Sequence, residues 1–238
     1  MNKEYTAEEF LELFKEHSPE HPLEITECTI QGADLHGADF SGASMTLCNF
    51  EDCDLTGAIF DRADIHGTLF LNCLMHGCSF VDANMQETVF RDIDLSDSDI
   101  SGADIFCAVL EGANLEGLKT SESTKWYRMV PPEEGPFIAW KCCTELRVVQ
   151  LLVPADARRV SATALTCRCD KAKVLSIKSI DETVKYDWAQ STVDPDFYYE
   201  VGKWVEPANG FEPDRWKDSS RGIHFFMERQ QAVDYQSK

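Results

Sequence analysis

From Ile30 the chain places a large apolar residue at every fifth position (Leu35, Phe40, Met45, Phe50 and so on) as far as Leu115, eighteen in all without a gap. An α-helix repeats at 3.6 residues and a strand at 2, so neither element alone has this period. Two residues before each large one stands Ala, Cys, Ser or Thr, with Ile93 the single exception. Glycine often follows two residues after the centre, as at Gly32, Gly37, Gly57, Gly67, Gly77, Gly102 and Gly117. Two inward positions separated by two describe a short strand segment. Because five is odd, the alternation must reset in every repeat, so each repeat contains a turn. One such segment cannot bury its own apolar side, and the chain must therefore wind on itself, with the large and small residues inside and the other three positions in water.

Over residues 28–117 this pattern resembles the pentapeptide-repeat family, whose consensus is a small residue, Asp or Asn, Leu or Phe, a polar residue and often Gly. The resemblance implies a right-handed quadrilateral β-helix with four repeats per coil, so that residues twenty apart stack. Eighteen repeats then make about four and a half coils, about 22 Å of axis at ~4.8 Å per strand layer. Ahead of the coil, "TAEEFLELFKEH" predicts a capping helix within residues 1–24: Thr6 and Glu9 fit a capping box, and Phe10, Leu11 and Phe14 form an apolar side able to close the solenoid end.

The register accounts for much that would otherwise suggest chemistry. Cys28, Cys48, Cys53, Cys73 and Cys78 all fall on the small inward position, where cysteine serves as a small hydrophobe. His36 and His76 share a side but lie two coils apart, about 10 Å, too far to share an ion bound at ~2 Å. No metal is expected in this half. Some outward positions are unexpectedly apolar: Leu69, Leu71, Val89 and Val109 fall on one side and predict a strip that a second subunit or the C-terminal half covers.

Charge divides the chain. Residues 1–117 hold 24 acids and 4 bases, whereas residues 118–238 hold 18 of each. Within 28–117 the 16 acids face only Arg62 and Arg91, and the net −14 spread over ~22 Å is about one charge per 1.5 Å, close to the ~1.7 Å of duplex DNA. Some pentapeptide-repeat proteins mimic DNA and occupy a topoisomerase, so the resemblance offers mimicry as an alternative function. The side with Asp34, Asp54, Asp94, Asp97 and Glu116 would be the acidic partner face. A rod of this length matches only six or seven base pairs at ~3.4 Å each, and a homodimer joined end to end would lengthen it. Direct binding of nucleic acid by so acidic a half is not expected.

Residues 118–136, "LKTSESTKWYRMVPPEEGP", lose the period, carry three prolines and predict a linker. Strand-like runs follow in 137–238, "FIAWKCC", "LRVVQLLVP", "KAKVLSI", "YYEVGKWV" and "GIHFF", with "MERQQAVDY" as a closing helix, so a small, mostly β, α+β domain is expected. From about residue 135 to 236 the sequence resembles a domain of unknown function that follows pentapeptide repeats in some bacteriophage and bacterial proteins, which implies no activity. Cys142, Cys143, Cys167 and Cys169 are enough thiols for a structural zinc, but their spacing is not that of paired C-x₂-C knuckles. "GIHFFMERQQAVDY" is similar to a strand–helix stretch of poly-ADP-ribose-polymerase-type transferases, with His224 where that family has tyrosine, and this makes degenerate NAD binding a third reading. Trp140 and His224 are the candidate site residues of this half.

No apolar run approaches the ~20 residues of a membrane span, and the N-terminus lacks the features of a secretory signal. The expectation is a non-enzymatic protein-binding or scaffold protein, without cofactor, in the cytosol of a bacterium or of a phage-infected host, with a protein partner.

Overall fold

Each five-residue step consists of one strand bridge followed by a corner. From Glu27 to Gly117 all nineteen residues that lie two after a large apolar centre have positive φ, between 49° and 75°. At many corners the small residue's N–H bonds back to the large residue's carbonyl, as from Ala38 to Leu35 at 3.0 Å. This closes a four-residue turn whose third residue must take positive φ, so glycine recurs there. Asp52, Asn72, Asp82, Asp92 and Asp97 fill other corners; Asp and Asn tolerate this region better than most residues.

The computed structural model describes residues 3–18 and 20–236, and the chain divides into two compact units, Met1–Arg128 and Met129–Lys238. Residues 1, 2, 19, 237 and 238, which include the outer ends of the expected capping segment and second domain, lie outside the described residues.

In the first unit residues twenty apart pair in parallel, as the four-sided β-helix requires. On the first side β1 (Lys3–Thr6), β3 (Cys28–Gln31), β5 (Asn49–Glu51) and β6 (Leu69–Leu71) form one sheet, continued by bridges from Leu69 to Val89 and Val89 to Val109. On another side β2 (Glu24–Thr26) pairs with β4 (Ser44–Thr46). The core is filled by the periodic residues. Phe40, Phe60 and Phe80 stack at 5.0 Å per step, and Phe50, Phe70 and Phe90 form a second ladder at 5.3 and 5.2 Å. Edge-on contacts at 6.2 and 5.7 Å link the two ladders.

The lid is α1 (Ala7–Phe14), with both bonds of the Thr6/Glu9 capping box present. Phe10 is fully buried and meets Phe40 and Phe50 at 6.4 and 6.1 Å. Two features depart from the sequence expectation at this end. β1 adds a strand ahead of the lid, in register with β3 from Lys3 opposite Cys28. The coil also begins one repeat earlier, with Ile25 opposite Met45; Leu23 takes the small inward position there, which disguised the repeat.

The expected linker at 118–136 is divided between the units. Lys119 and Lys125 still bridge Asp99 and Asp104 of the last coil, and Thr124 donates its hydroxyl to the Ile100 carbonyl at 3.0 Å. Residues from Met129 belong to the second unit, where Pro131 is buried and the Val130 N–H bonds Ser161 Oγ at 2.8 Å. The guanidinium of buried Arg159 holds this segment, donating to the carbonyls of Pro132 and Gly135 as well as Pro154, Ala155 and Ala157.

The second unit contains β7 (Phe137–Cys142), β8 (Val148–Val153), β9 (Arg159–Ser161), β10 (Cys167–Cys169) and β11 (Ala172–Lys178). They are followed by β12 (Trp188–Gln190), β13 (Tyr198–Glu200), β14 (Trp204–Val205), β15 (Ile223–Phe225) and α2 (Arg229–Gln236). One antiparallel sheet has the order β14-β11-β8-β7, another β15-β10-β9, and β12 pairs with β13. Trp140 and Phe226 exchange backbone bonds of 2.9 and 2.8 Å, which ties β7 to the end of β15. The run "YYEVGKWV" is two strands rather than one, because Gly202 turns the chain with φ of 84°. β9, β10 and β12 are too short and too polar in sequence to carry a strand signal.

Candidate functional site

The aspartates before each large residue have a local duty. Asp34, Asp39, Asp54, Asp64, Asp94, Asp99 and Asp104 each accept, through Oδ1, the backbone N–H two residues on, at 2.9 to 3.4 Å. This is the Asx turn, in which a short polar side chain satisfies the backbone next to it. Asn84 and Asn114 do the same without charge. Part of the acidity is therefore a demand of the fold.

The acidic set shares the second side of the coil, but it is not continuous. Asp34 bridges to Asp54 and Asp54 to Leu74, while Asp94 bridges to Asn114; Leu74, 60% exposed, interrupts the column. Asp34 contacts the His36 ring at 2.7 Å, and that hydrogen bond holds its carboxyl below the usual range. Asp94 is lowered chiefly by the Ser96 hydroxyl and also takes a bond from Asn114 at 2.9 Å. Asp97 occupies a corner at φ 57°, and Glu116 gives its N–H to Asn114 at 3.2 Å.

Of the apolar strip, Leu69, Val89 and Val109 form one bridged column and are half-buried between coils, whereas Leu71 is 46% exposed. Leu47 and Leu74 extend it around the adjacent corners. Among the described residues of the first unit, Leu47 at 46%, Leu71 and Leu74 are the large hydrophobics that stand most open to solvent. Leu47 and Leu74 were missed in the sequence because neither lies on the side of the other four, Leu47 being at a corner and Leu74 on the next side.

In the second unit Trp140 and His224 are not brought together. Successive residues of β7 point to opposite sides, and Trp140 packs with Cys142, Val148, Val233 and Ile180. Its neighbour Lys141 meets His224, and the two line both of two adjoining clefts of about 210 and 160 Å³. Burial and the nearby Lys141 and Arg168 push the His224 pKa down to about 4. Cys143, Cys167 and Cys169 lie in the main core, where burial pushes each thiol up to about 12, and Cys142 lies in the smaller cluster with Trp140. Cys28, Cys48, Cys53, Cys73, Cys78, Cys142, Cys143, Cys167 and Cys169 are free of disulfides, and among the described residues no group of three His, Cys, Asp or Glu is arranged to hold a metal. In the first unit the Cys28 and Cys48 sulfurs approach to 3.2 Å inside the coil. No described helix is long and apolar enough to cross a membrane.

Comparison with known proteins follows the same division. Residues 43–119 match the pentapeptide repeat region family, and residues 127–232 match a family of unknown function, DUF5758. No curated protein matches the chain. Among solved structures, a pentapeptide repeat protein of the Arabidopsis thaliana thylakoid lumen is 24% identical over 37% of this chain and 60% of its own length, with a TM-score of 0.35. HetL, a pentapeptide repeat protein involved in heterocyst differentiation regulation in the cyanobacterium Nostoc sp. strain PCC 7120, is 17% identical over 47% of this chain and 49% of its own, with a TM-score of 0.29. QnrB1, a plasmid-mediated fluoroquinolone resistance protein, is 22% identical over 44% of this chain and 68% of its own, with a TM-score of 0.20. The chain thus spans 60% and 49% of the first two of these proteins. Residues 43–119 are a pentapeptide repeat region, and residues 127–232, which follow it, are a DUF5758 domain.

Proposed function

We propose that this is a non-enzymatic, protein-binding scaffold that docks its partner on the apolar strip of the β-helix. The observation that carries this is the gathering of Leu47, Leu71 and Leu74 around the column of Leu69, Val89 and Val109. Elsewhere the outward apolar residues Ile59, Val81 and Phe106 are half-buried, and most of the remaining outward positions are polar or acidic. An apolar centre rimmed by charge is the anatomy of a protein interface. Glu51, Asp52 and Asp54 lie one coil below, and Arg91, Asp92 and Asp94 one coil above, with Arg91 paired to Glu111, so the rim is acidic on balance and the fitting partner has an apolar patch with a mostly basic rim.

The support for DNA mimicry is weaker. The charge density is right, but the Asx turns give the aspartates a reason to exist without a partner, and Leu74 breaks the acidic column. For NAD binding, the cleft at His224 holds about 210 Å³, below the ~300 Å³ at the small end of pockets for drug-sized ligands.

The test uses the full-length chain as bait in lysate of its own cells, with two variants: Leu71→Glu with Leu74→Glu, and Asp34→Asn with Asp54→Asn and Asp94→Asn. The proposal expects a partner that the leucine variant loses and the asparagine variant keeps, with retention that changes little as salt rises. Loss in the asparagine variant, steep weakening with salt and displacement by duplex DNA would favour mimicry instead.

A further inference from the structure

We propose that the cleft at Lys141 and His224 binds a small ligand bearing one carboxylate on an apolar body, with Lys141 pairing to the carboxylate. Strand parity fixes the position of Lys141. In β7, Ala139 and Lys141 point inward, continued by Cys143 beyond the strand, and their exposures are 0%, 8% and 0%. The β7–β8 ladder, with Lys141 opposite Val149, locks that register. Lysine usually extends its ammonium to water, but here the residue is more than nine-tenths buried. Among the described residues it makes no ion pair within 4.0 Å and no side-chain hydrogen bond. Its ammonium therefore opens only onto the clefts and has no counter-charge, and a carboxylate bound there would supply one.

The surroundings select the rest of the ligand. Phe226, Ala232, Val193 and Tyr235 give the larger cleft an apolar wall, with the hydroxyls of Thr166 and Thr192 beside it. A cavity of ~150 Å³ accepts benzene, so about 210 Å³ suits a body of that size with one carboxylate. The charged and titratable groups around Lys141 do not satisfy it. His224 is neutral at neutral pH, as burial and the neighbouring cations disfavour its charged form. Burial pushes Asp218 up, with Arg168 as its opposing cation, while Asp194 accepts the Asp196 N–H at 3.0 Å. Arg221 pairs with Glu212, and the Cys142 thiol is raised by burial. Burial lowers the Lys141 pKa, and a bound carboxylate opposes that shift.

This site is independent of the docking strip, and its test distinguishes the two. Full-length protein is titrated calorimetrically with benzoate, with benzamide as neutral isostere and with inorganic phosphate. Benzoate is expected to bind, with benzamide at least ~10-fold weaker and phosphate weaker still, where tenfold equals about 1.4 kcal/mol. Lys141→Met, which removes the charge at similar length, is expected to lose benzoate by at least the same factor while its thermal midpoint holds or rises. Failure of benzoate to bind, equal binding of benzamide, preference for phosphate or unchanged affinity in Lys141→Met would each overturn the proposal. If Lys141→Met does not fold, the preference of the unaltered protein for benzoate over benzamide decides, and its absence counts against the proposal.

Discussion

Replacing Phe70 with alanine tests whether the β-helix is held by its two aromatic ladders. Phe70 is 1% exposed, lies between Phe50 at 5.3 Å and Phe90 at 5.2 Å, and meets Phe60 edge-on at 6.2 Å. Truncating a core phenylalanine costs ~3–5 kcal/mol. The upper half of that range applies here, because two stacked pairs worth ~0.5–1.5 kcal/mol each are broken together. The coil also cannot collapse around the hole, since parallel bonds to the strands above and below fix the backbone. In a solenoid a central defect weakens the coils on both sides. A loss of about 4 kcal/mol in a unit of this size should lower its melting midpoint by on the order of 15 °C. Guanidinium denaturation of the full chain, followed by far-ultraviolet circular dichroism, measures the change. Phe106→Ala is the control: that ring faces outward onto Trp126 at 4.7 Å, is half-buried and should cost about 1 kcal/mol. A loss in Phe70→Ala no larger than in Phe106→Ala would refute the ladder as the main support of the coil.

Arg159→Lys should destabilise the second unit by roughly 3 kcal/mol, because lysine cannot reach the five carbonyls that the guanidinium serves and leaves several of them buried without donors; urea titration would show it. Acid should also weaken that unit. His224 falls from about 6.5 to about 4 on folding, so between these values the unfolded chain binds the extra proton, and stability is lost as pH falls through that window, by up to roughly 3 kcal/mol in all. His224→Gln should flatten this part of the stability–pH curve, and an unchanged slope would exclude the histidine as its source. In native protein treated with a thiol reagent, Cys107, half-buried on the coil surface, should react well ahead of the nine buried thiols. Gly102→Ala should cost more than Gly32→Ala, because both sit at positive φ but an added Cβ at 102 would come within 2.0 Å of Asp82 Oδ1, while at 32 it meets nothing.

The coil was legible because its signal is repeated. One large and one small residue at fixed offsets define the inside, and eighteen copies make local exceptions such as Ile93 harmless. What escaped was at the ends, where a repeat is used only once. β1 is a strand because it borrows the open edge of β3, and Leu23–Ile25 count as a repeat only when seen against Met45. Lys119 and Lys125 stand opposite Asp99 and Asp104, the positions before the centres Ile100 and Ile105, and Thr120 falls where the next apolar centre would be. In the second unit the stronger strands carried an apolar pattern, but β9 and β10 form a short polar hairpin, Cys167 opposite Ser161, that is held by a strand distant in sequence, Cys167 opposite Phe225. Lys141 was legible in principle, as a lysine inside "FIAWKCC" on the parity of Ala139 and Cys143. The more conspicuous Trp140 drew attention to the wrong side of the strand. Leu74 was visible too, as an apolar residue where most repeats have Asp or Asn, but it lies on the next side from the strip and only the folded coil joins them.

Hydrogen exchange of the full-length chain, alone and with the captured partner, tests the docking claim most directly. The predicted result is slowed exchange at residues 69–75 and their stacked neighbours at 49–54 and 89–94, with little change elsewhere on the coil. Protection confined to the acidic column at 34–36 and 114–116, or to residues 129–238 alone, would contradict it.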